Sequence, residues 1–173
     1  TELEDWRIAG LVASPAQYAR CMALADHFLV STTALRAKVE RRFRRPAHVV
    51  SSVLGRETLA RSETAAPRTP GAPFVVGYGS GSHTHDDDLT VILPALRRFL
   101  GANPGAAFHA IGPMTFPAEL KTEFGDRVRH SKAVPWPSLP DVLTEFTVQV
   151  IPLTDCPFNR RKSHVRFLEA AAV

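Results

Sequence analysis

Two stretches of the chain concentrate residues able to do chemistry. The first is Gly77-Tyr78-Gly79-Ser80-Gly81-Ser82-His83-Thr84-His85-Asp86-Asp87-Asp88. Glycines directly after a strand let the backbone come close to a ligand, and their amides make an anion site with the start of the next helix. The spacing is neither GxGxxG nor the GxxxxGK[ST] of a P-loop. A flexible turn capped by acidic residues fits the same letters. His83, His85 and the three aspartates have metal-compatible types, but consecutive aspartates on a helix point in different directions. Carboxylates that complement the dipole of a helix start are the simpler reading, and no metal site is expected.

The second stretch is Asp155-Cys156-Pro157-Phe158-Asn159-Arg160-Arg161-Lys162-Ser163, running into Phe167-Leu168-Glu169-Ala170-Ala171. A basic loop at a strand end, followed by a helix, suits a diphosphate, with Lys162 and a backbone amide on its oxygens. Glu169, two helical turns on, can accept hydrogen bonds from a ribose diol. The competing reading is a solvated basic turn with Glu169 on the surface. A third basic stretch, Arg36 to Arg45, carries Arg36, Lys38, Arg41, Arg42, Arg44 and Arg45. Phe43 is its one aromatic, which argues against single-strand stacking, so no specific nucleic-acid partner is expected. Contact of this helix with acidic lipid stays open, as peripheral membrane association.

The elements that must position these residues follow from the hydrophobic pattern. Helices are expected over Pro15–Ala25, over 34–44 behind a Thr33 cap, and over Leu89–Leu100, Phe116–Phe124, Leu139–Phe146 and 160–172. Strands are expected over His27–Ser31, Ala47–Ser51, Pro73–Gly77, Ala107–Ile111, Arg127–His130 and Val148–Leu153. Residues 60–72, with Pro67, Pro70 and Gly71, read as a linker, which divides the chain into 1–66 and 67–173. Strands alternating with helices imply an α/β fold, a Rossmann-like parallel sheet with flanking helices. Ligands of such sheets bind beyond the carboxyl ends of the strands, where both chemical stretches fall.

Bulk properties agree with a globular domain. The chain has 173 residues, 45% hydrophobic and 22% charged, which excludes a disordered composition. A formal charge of +4 suits an anionic small ligand, an acidic surface or nucleic acid without choosing among them. The two cysteines, Cys21 and Cys156, sit in no CxxC or Cys/His cluster, which points to a reduced, cytoplasmic protein. No apolar run approaches the roughly 20 residues of a membrane span.

Pro157-Phe158-Asn159-Arg160-x-Lys162-Ser163 with Phe167-Leu168-Glu169-Ala170-Ala171 resembles a bacterial subgroup of the group-1, retaining family-four glycosyltransferases of the GT-B fold. Gly77 to Gly81 with Thr84-His85 looks like the start of that subgroup's donor domain. Ala25-Asp26, Val30-Ser31-Thr32 and Leu35 resemble the end of its acceptor domain. The resemblance spans about Asp26 to Val173 and implies the nucleotide-sugar-binding half of a two-domain hexosyltransferase, working in polysaccharide biosynthesis. The donor half is expected to be incomplete, preceded by a piece of the acceptor half. It implies that Glu169 contacts the donor ribose, that Lys162 and Ser163 contact the phosphates with Asn159 nearby, and that Gly79 and Gly81 leave room for the diphosphate. The nucleotide sugar is substrate, a glycan is acceptor, and no further cofactor is implied; a place at the inner membrane surface fits. Catalytic residues are not assigned. The family's paired glutamates lie eight positions apart, and Arg161 stands eight before Glu169. The subgroup's Asn after Val49-Val50 is replaced by Ser51-Ser52. A degenerate, non-catalytic interaction module is the alternative, and an epimerase or dehydrogenase would need a GxGxxG that is absent.

Overall fold

A computed structural model describes residues 15–83 and 86–173. Thr84 and His85 of the glycine loop, like the acidic N-terminal residues, lie outside the described residues. The chain forms two compact units. The first holds the residues through Ser52 together with Arg160–Ser163, and the second holds Val53–Asn159 and His164–Val173.

The first unit contains helix α1 (15–23), strand β1 (Phe28–Val30), helix α2 (Thr33–Phe43) and strand β2 (Ala47–Val49). The two strands pair in parallel, Phe28 opposite Ala47 and Val30 opposite Val49. Leu35, Val39 and Phe43 recur at helical spacing, and this stripe packs on Phe28, Val30 and Ala47. The Phe28 and Phe43 rings lie 5.4 Å apart. The six cations of the 36–45 stretch all remain exposed, so the helix is amphipathic with a solvated basic face. Thr32, one residue before the expected cap, closes the helix start: its Oγ1 accepts from the Leu35 amide at 3.1 Å and donates to the Arg161 carbonyl at 3.1 Å.

The second unit begins with helix α3 (Arg56–Thr64). Residues 60–64 of the segment read as linker are the end of this helix, and regular structure stops at Ala65. Strand β3 (Val75–Gly79) follows, then helices α4 (Asp86–Thr90) and α5 (Leu93–Ala102), strand β4 (Ala107–Ile111), helix α6 (Ala118–Phe124) and strand β5 (Val128–Ser131). Helix α7 (Leu139–Leu143), strand β6 (Val148–Gln149) and helix α8 (Val165–Ala171) complete it. The four strands form one parallel sheet in the order β5-β4-β3-β6. In order of appearance this is 3-2-1-4, the arrangement of the first four strands of the doubly wound nucleotide-binding sheet. The mixed α/β expectation therefore holds, and the sheet is compatible with a Rossmann-like fold.

Three of the differences from the expected bounds have a local reason. The helix read over Leu89–Leu100 is two helices, because Pro94 lacks an N–H and its ring would meet the Thr90 carbonyl. The strand read over Val148–Leu153 pairs only at Val148 and Gln149, with one further bond from the Val150 amide to the Gly77 carbonyl at 2.9 Å. Pro152 has no N–H with which to extend the ladder. The helix read over 160–172 starts at Val165, after a 3₁₀ turn over Asn159–Arg161.

The core lies on one sheet face. Val76, Tyr78, Phe108, Ala110 and Val128 pack against Leu89, Leu96, Leu100 and Leu120. Burying such a side chain contributes about 1.5–3 kcal/mol. Gly77 and His109 are register partners between these core positions, so their side chains belong to the opposite face. There Phe146 covers both: a Cβ on Gly77 would sit 2.0 Å from its ring, and the His109 ring meets it edge-on at 5.6 Å.

Candidate functional site

The second unit holds a cavity of about 330 Å³ along the carboxyl edge of its sheet. Gly79, Ser80 and Gly81 line it beyond β3, Ile111 and Gly112 beyond β4, and Ala133 and Val134 beyond β5. Gln149 of β6, Trp136, and Arg166 and Glu169 of α8 close the remaining sides. The chain runs from β3 outward through β4 and β5, then returns past β3 to β6. Helical connections diverge at this reversal of strand order and leave a crevice between them.

The floor is built by close backbone approach. The Ser80 amide donates to the Ile111 carbonyl at 2.8 Å, and the Gly112 amide donates to the Ser131 carbonyl at 2.9 Å. Gly112 has φ +100°, and a Cβ there would stand 1.9 Å from the Ser80 carbonyl oxygen. Only glycine fits that junction. Its carbonyl accepts a 2.8 Å bond from His130 Nε2, whose ring stacks on Phe116 at 5.1 Å. The Ser80 hydroxyl donates to the Ser82 carbonyl at 2.8 Å, which fixes the turn around Gly81. Gly81 has open space where a Cβ would be, and a Cβ on Gly79 would meet only Gln149 Nε2 at 3.8 Å.

One face of α8 supplies the ionic groups. Arg166 and Glu169 are three residues apart and share that face. Burial pushes the Glu169 carboxyl above its ordinary range, while the Arg166 charge and the Trp136 indole N–H pull it back. Tyr78 is wholly buried in the core. Burial raises its phenol, opposed by the Arg166 charge and by a hydrogen bond to that guanidinium. The Arg166 charge thus acts on both the Glu169 carboxyl and the Tyr78 phenol.

The other predicted residues have varied places. Gly79, Gly81 and Glu169 line the cavity. Asn159, 7% exposed, ties down the loop after β6: its Nδ2 donates to Asp88 Oδ1 at 2.7 Å and to the Thr154 carbonyl at 2.9 Å. Asp88 Oδ1 also accepts from the Thr154 amide at 2.8 Å and the Thr154 hydroxyl at 2.7 Å. Lys162 and Ser163 belong to the first unit. Asp86 has a different task from Asp88. Hydrogen bonds from the Thr115 side chain and amide hold its carboxyl below the ordinary range, with help from His83. Among the described residues no group of three or more His, Cys, Asp or Glu could hold a metal ion. No helix among them is long and apolar enough to cross a membrane. Cys21 and Cys156 are free thiols.

Sequence reasoning missed Trp136, Gln149, Gly112 and Arg166 as cavity residues. Arg166 carried a usable signal, the three-residue spacing from Glu169 on one helix. Gly112 was read only as the end of a strand. The chain matches no protein-family model and no curated protein.

Proposed function

We propose that the chain is the donor-binding part of a GT-B glycosyltransferase, which holds a nucleotide-activated sugar for transfer to a glycan acceptor. The observation that carries the reading is the cavity at the strand-order reversal, which the glycine turn, Trp136 and Glu169 line together. A half-buried carboxylate with raised proton affinity is suited to accepting hydrogen bonds from a ribose diol. The open space at Gly81 leaves room for a phosphate against the backbone. Lys162 and Ser163 are the further phosphate contacts of this reading, with Asn159 supporting their loop. The solvated cations of α2 suit work at the acidic cytoplasmic face of a membrane. Transfer needs no metal in this scheme, because cationic side chains can stabilise the departing nucleoside diphosphate.

Calorimetric titration with UDP and GDP tests the reading. Saturable binding is expected, weakened about 10- to 100-fold by Glu169→Ala or Lys162→Ala, the worth of a hydrogen bond to a charged group. Absence of binding by a chain that circular dichroism shows to be folded would overturn it. A non-catalytic interaction module, which the Arg161 departure favours, would then take its place.

A further inference from the structure

On the sheet face opposite the core, three side chains stand in a row. His109 on β4 and Ser131 on β5 share that face, because Arg129 is the register partner of His109 and Ser131 that of Ile111. His109 Nε2 is 2.8 Å from Ser131 Oγ, and its Nδ1 is 3.3 Å from the carboxylate of Glu145, in the turn after α7. A carboxylate beside Nδ1 favours the tautomer with the proton there, which leaves Nε2 to accept from the serine hydroxyl. His109 is 3% exposed and meets the Phe146 ring edge-on, whereas Ser131 is partly exposed. Arg129 pairs with Glu145 and anchors that carboxylate. The row therefore runs from a partly exposed serine through a buried imidazole to an anchored acid. Ser131 also borders the cavity: the lining residue Gly112 donates to its carbonyl at 2.9 Å, and Ala133, two residues on, is a lining residue too.

We propose that Ser131, His109 and Glu145 form a nucleophile, base and carboxylate triad that hydrolyses esters of small apolar acids. Ser131 is the nucleophile, His109 the general base, and Glu145 the positioning residue that acts through the imidazole. Such constellations are defined by geometry and role, and their chain order differs between folds. Ser131 Oγ bonds to the acyl carbon of the ester as its proton passes to His109 Nε2. The ester C–O bond breaks, and the leaving alcohol takes that proton. Water then adds to the acyl-serine by the same proton route, the acid leaves, and the serine regains its proton. Glu145 stabilises the imidazolium formed in each step. The substrate class follows from the wall beside Ser131, where Ile111, Val134, Leu139, Leu143 and Phe146 line the cavity and remove an apolar acyl group from water. The assignment does not rest on the donor-site reading.

The test treats the full chain with a fluorophosphonate, which labels activated serines, and with p-nitrophenyl acetate and butyrate. Mass spectrometry of the digested protein is expected to place the phosphonate on Ser131. Release of p-nitrophenol is expected to exceed the buffer rate, with butyrate turned over at least as fast as acetate. Ser131→Ala abolishes both signals. His109→Gln slows both at least about 100-fold, the usual worth of a general base. Glu145→Gln slows both at least about tenfold, and Glu145→Asp restores part of the rate. Each variant is first checked for folding by thermal melting. A folded native chain that carries no label on Ser131 overturns the proposal without recourse to any variant. So does labelling of Ser131 at the native rate in His109→Gln or Glu145→Gln, which would make these contacts structural only. Binding of UDP and GDP is measured separately, so the donor-site reading stands or falls on its own result.

Discussion

Glu169 is a carboxylate whose burial outweighs the help of its own neighbours. Arg166 and Trp136 both favour the charged form, yet the net direction is upward. The folded state therefore favours the protonated acid. Its stabilising contribution is full below pH 4.5, the unfolded value, and is lost as pH rises through the folded one. Glu169→Gln should accordingly raise the melting temperature at pH 7 and change it little at pH 4, while nucleotide binding weakens. Thermal melts at the two pH values check this, and equal shifts at both would contradict it. Asp88 is a buried hydrogen-bond acceptor, 3% exposed. Three donors converge on one of its oxygens. Asp88→Ala would strand the Thr154 and Asn159 donors, at about 1–3 kcal/mol for each group left unsatisfied. Urea unfolding should show a loss of at least about 2 kcal/mol. Hydrogen exchange should quicken at Thr154, whose amide loses its acceptor.

Between elements, two glycines are fixed by what lies opposite them. Gly77 has no side chain because Phe146, at the end of the α7 turn, occupies that space. Gly77→Ala should cost about 1–3 kcal/mol by overpacking. Combined with Phe146→Leu it should cost less than the sum of the two single changes, because they share one contact. A strictly additive double-mutant cycle in urea would show that the ring is not the cause. Gly112 admits no such rescue, since its obstacle is the Ser80 backbone and its φ is positive. Gly112→Ala should disturb the turn around Gly81 and the cavity floor together, read as loss of nucleotide binding alongside lowered stability. Helix α3 also depends on a contact across elements, as Arg61 Nε donates to Asp141 of α7 at 3.2 Å.

For the molecule as a whole, acid stability is set by groups that act in separate windows. His109 is 3% exposed on β4, with Nε2 2.8 Å from Ser131 Oγ and Nδ1 3.3 Å from the Glu145 carboxylate. Burial lowers its pKa from 6.5, and the Arg129 and His130 charges add to that against Glu145. A histidine with a depressed folded value costs nothing above pH 6.5, and stability is lost as pH falls from there through the folded value. The depressed Asp86 value contributes stability above pH 3.8 that is lost only below it, as pH falls through its folded value. Unfolding free energy should therefore begin to decline just below pH 6.5. Replacing His109 with Gln should flatten that first limb and leave the steeper acid limb intact. Denaturant titrations from pH 4 to 8 check it, and an unchanged limb in the variant would move the effect to another group.

The sequence by itself determined the alternation of strands and helices, because each short apolar run and each stripe of helical spacing is local information. Ala107–Ile111 falls on its expected residues, and the other central strands fall within a few residues of theirs. It also marked Gly79, Gly81 and Glu169, which line one cavity. Strand order was beyond it, since the 3-2-1-4 arrangement depends on which buried faces meet. The bond from Asn159 to Asp88 spans 71 residues and turns an acidic triplet with several readings into a structural lock. Phe146 over Gly77 is likewise a pairing of distant residues. Hydrophobic periodicity says which side of an element is buried, and only the packed structure says against what.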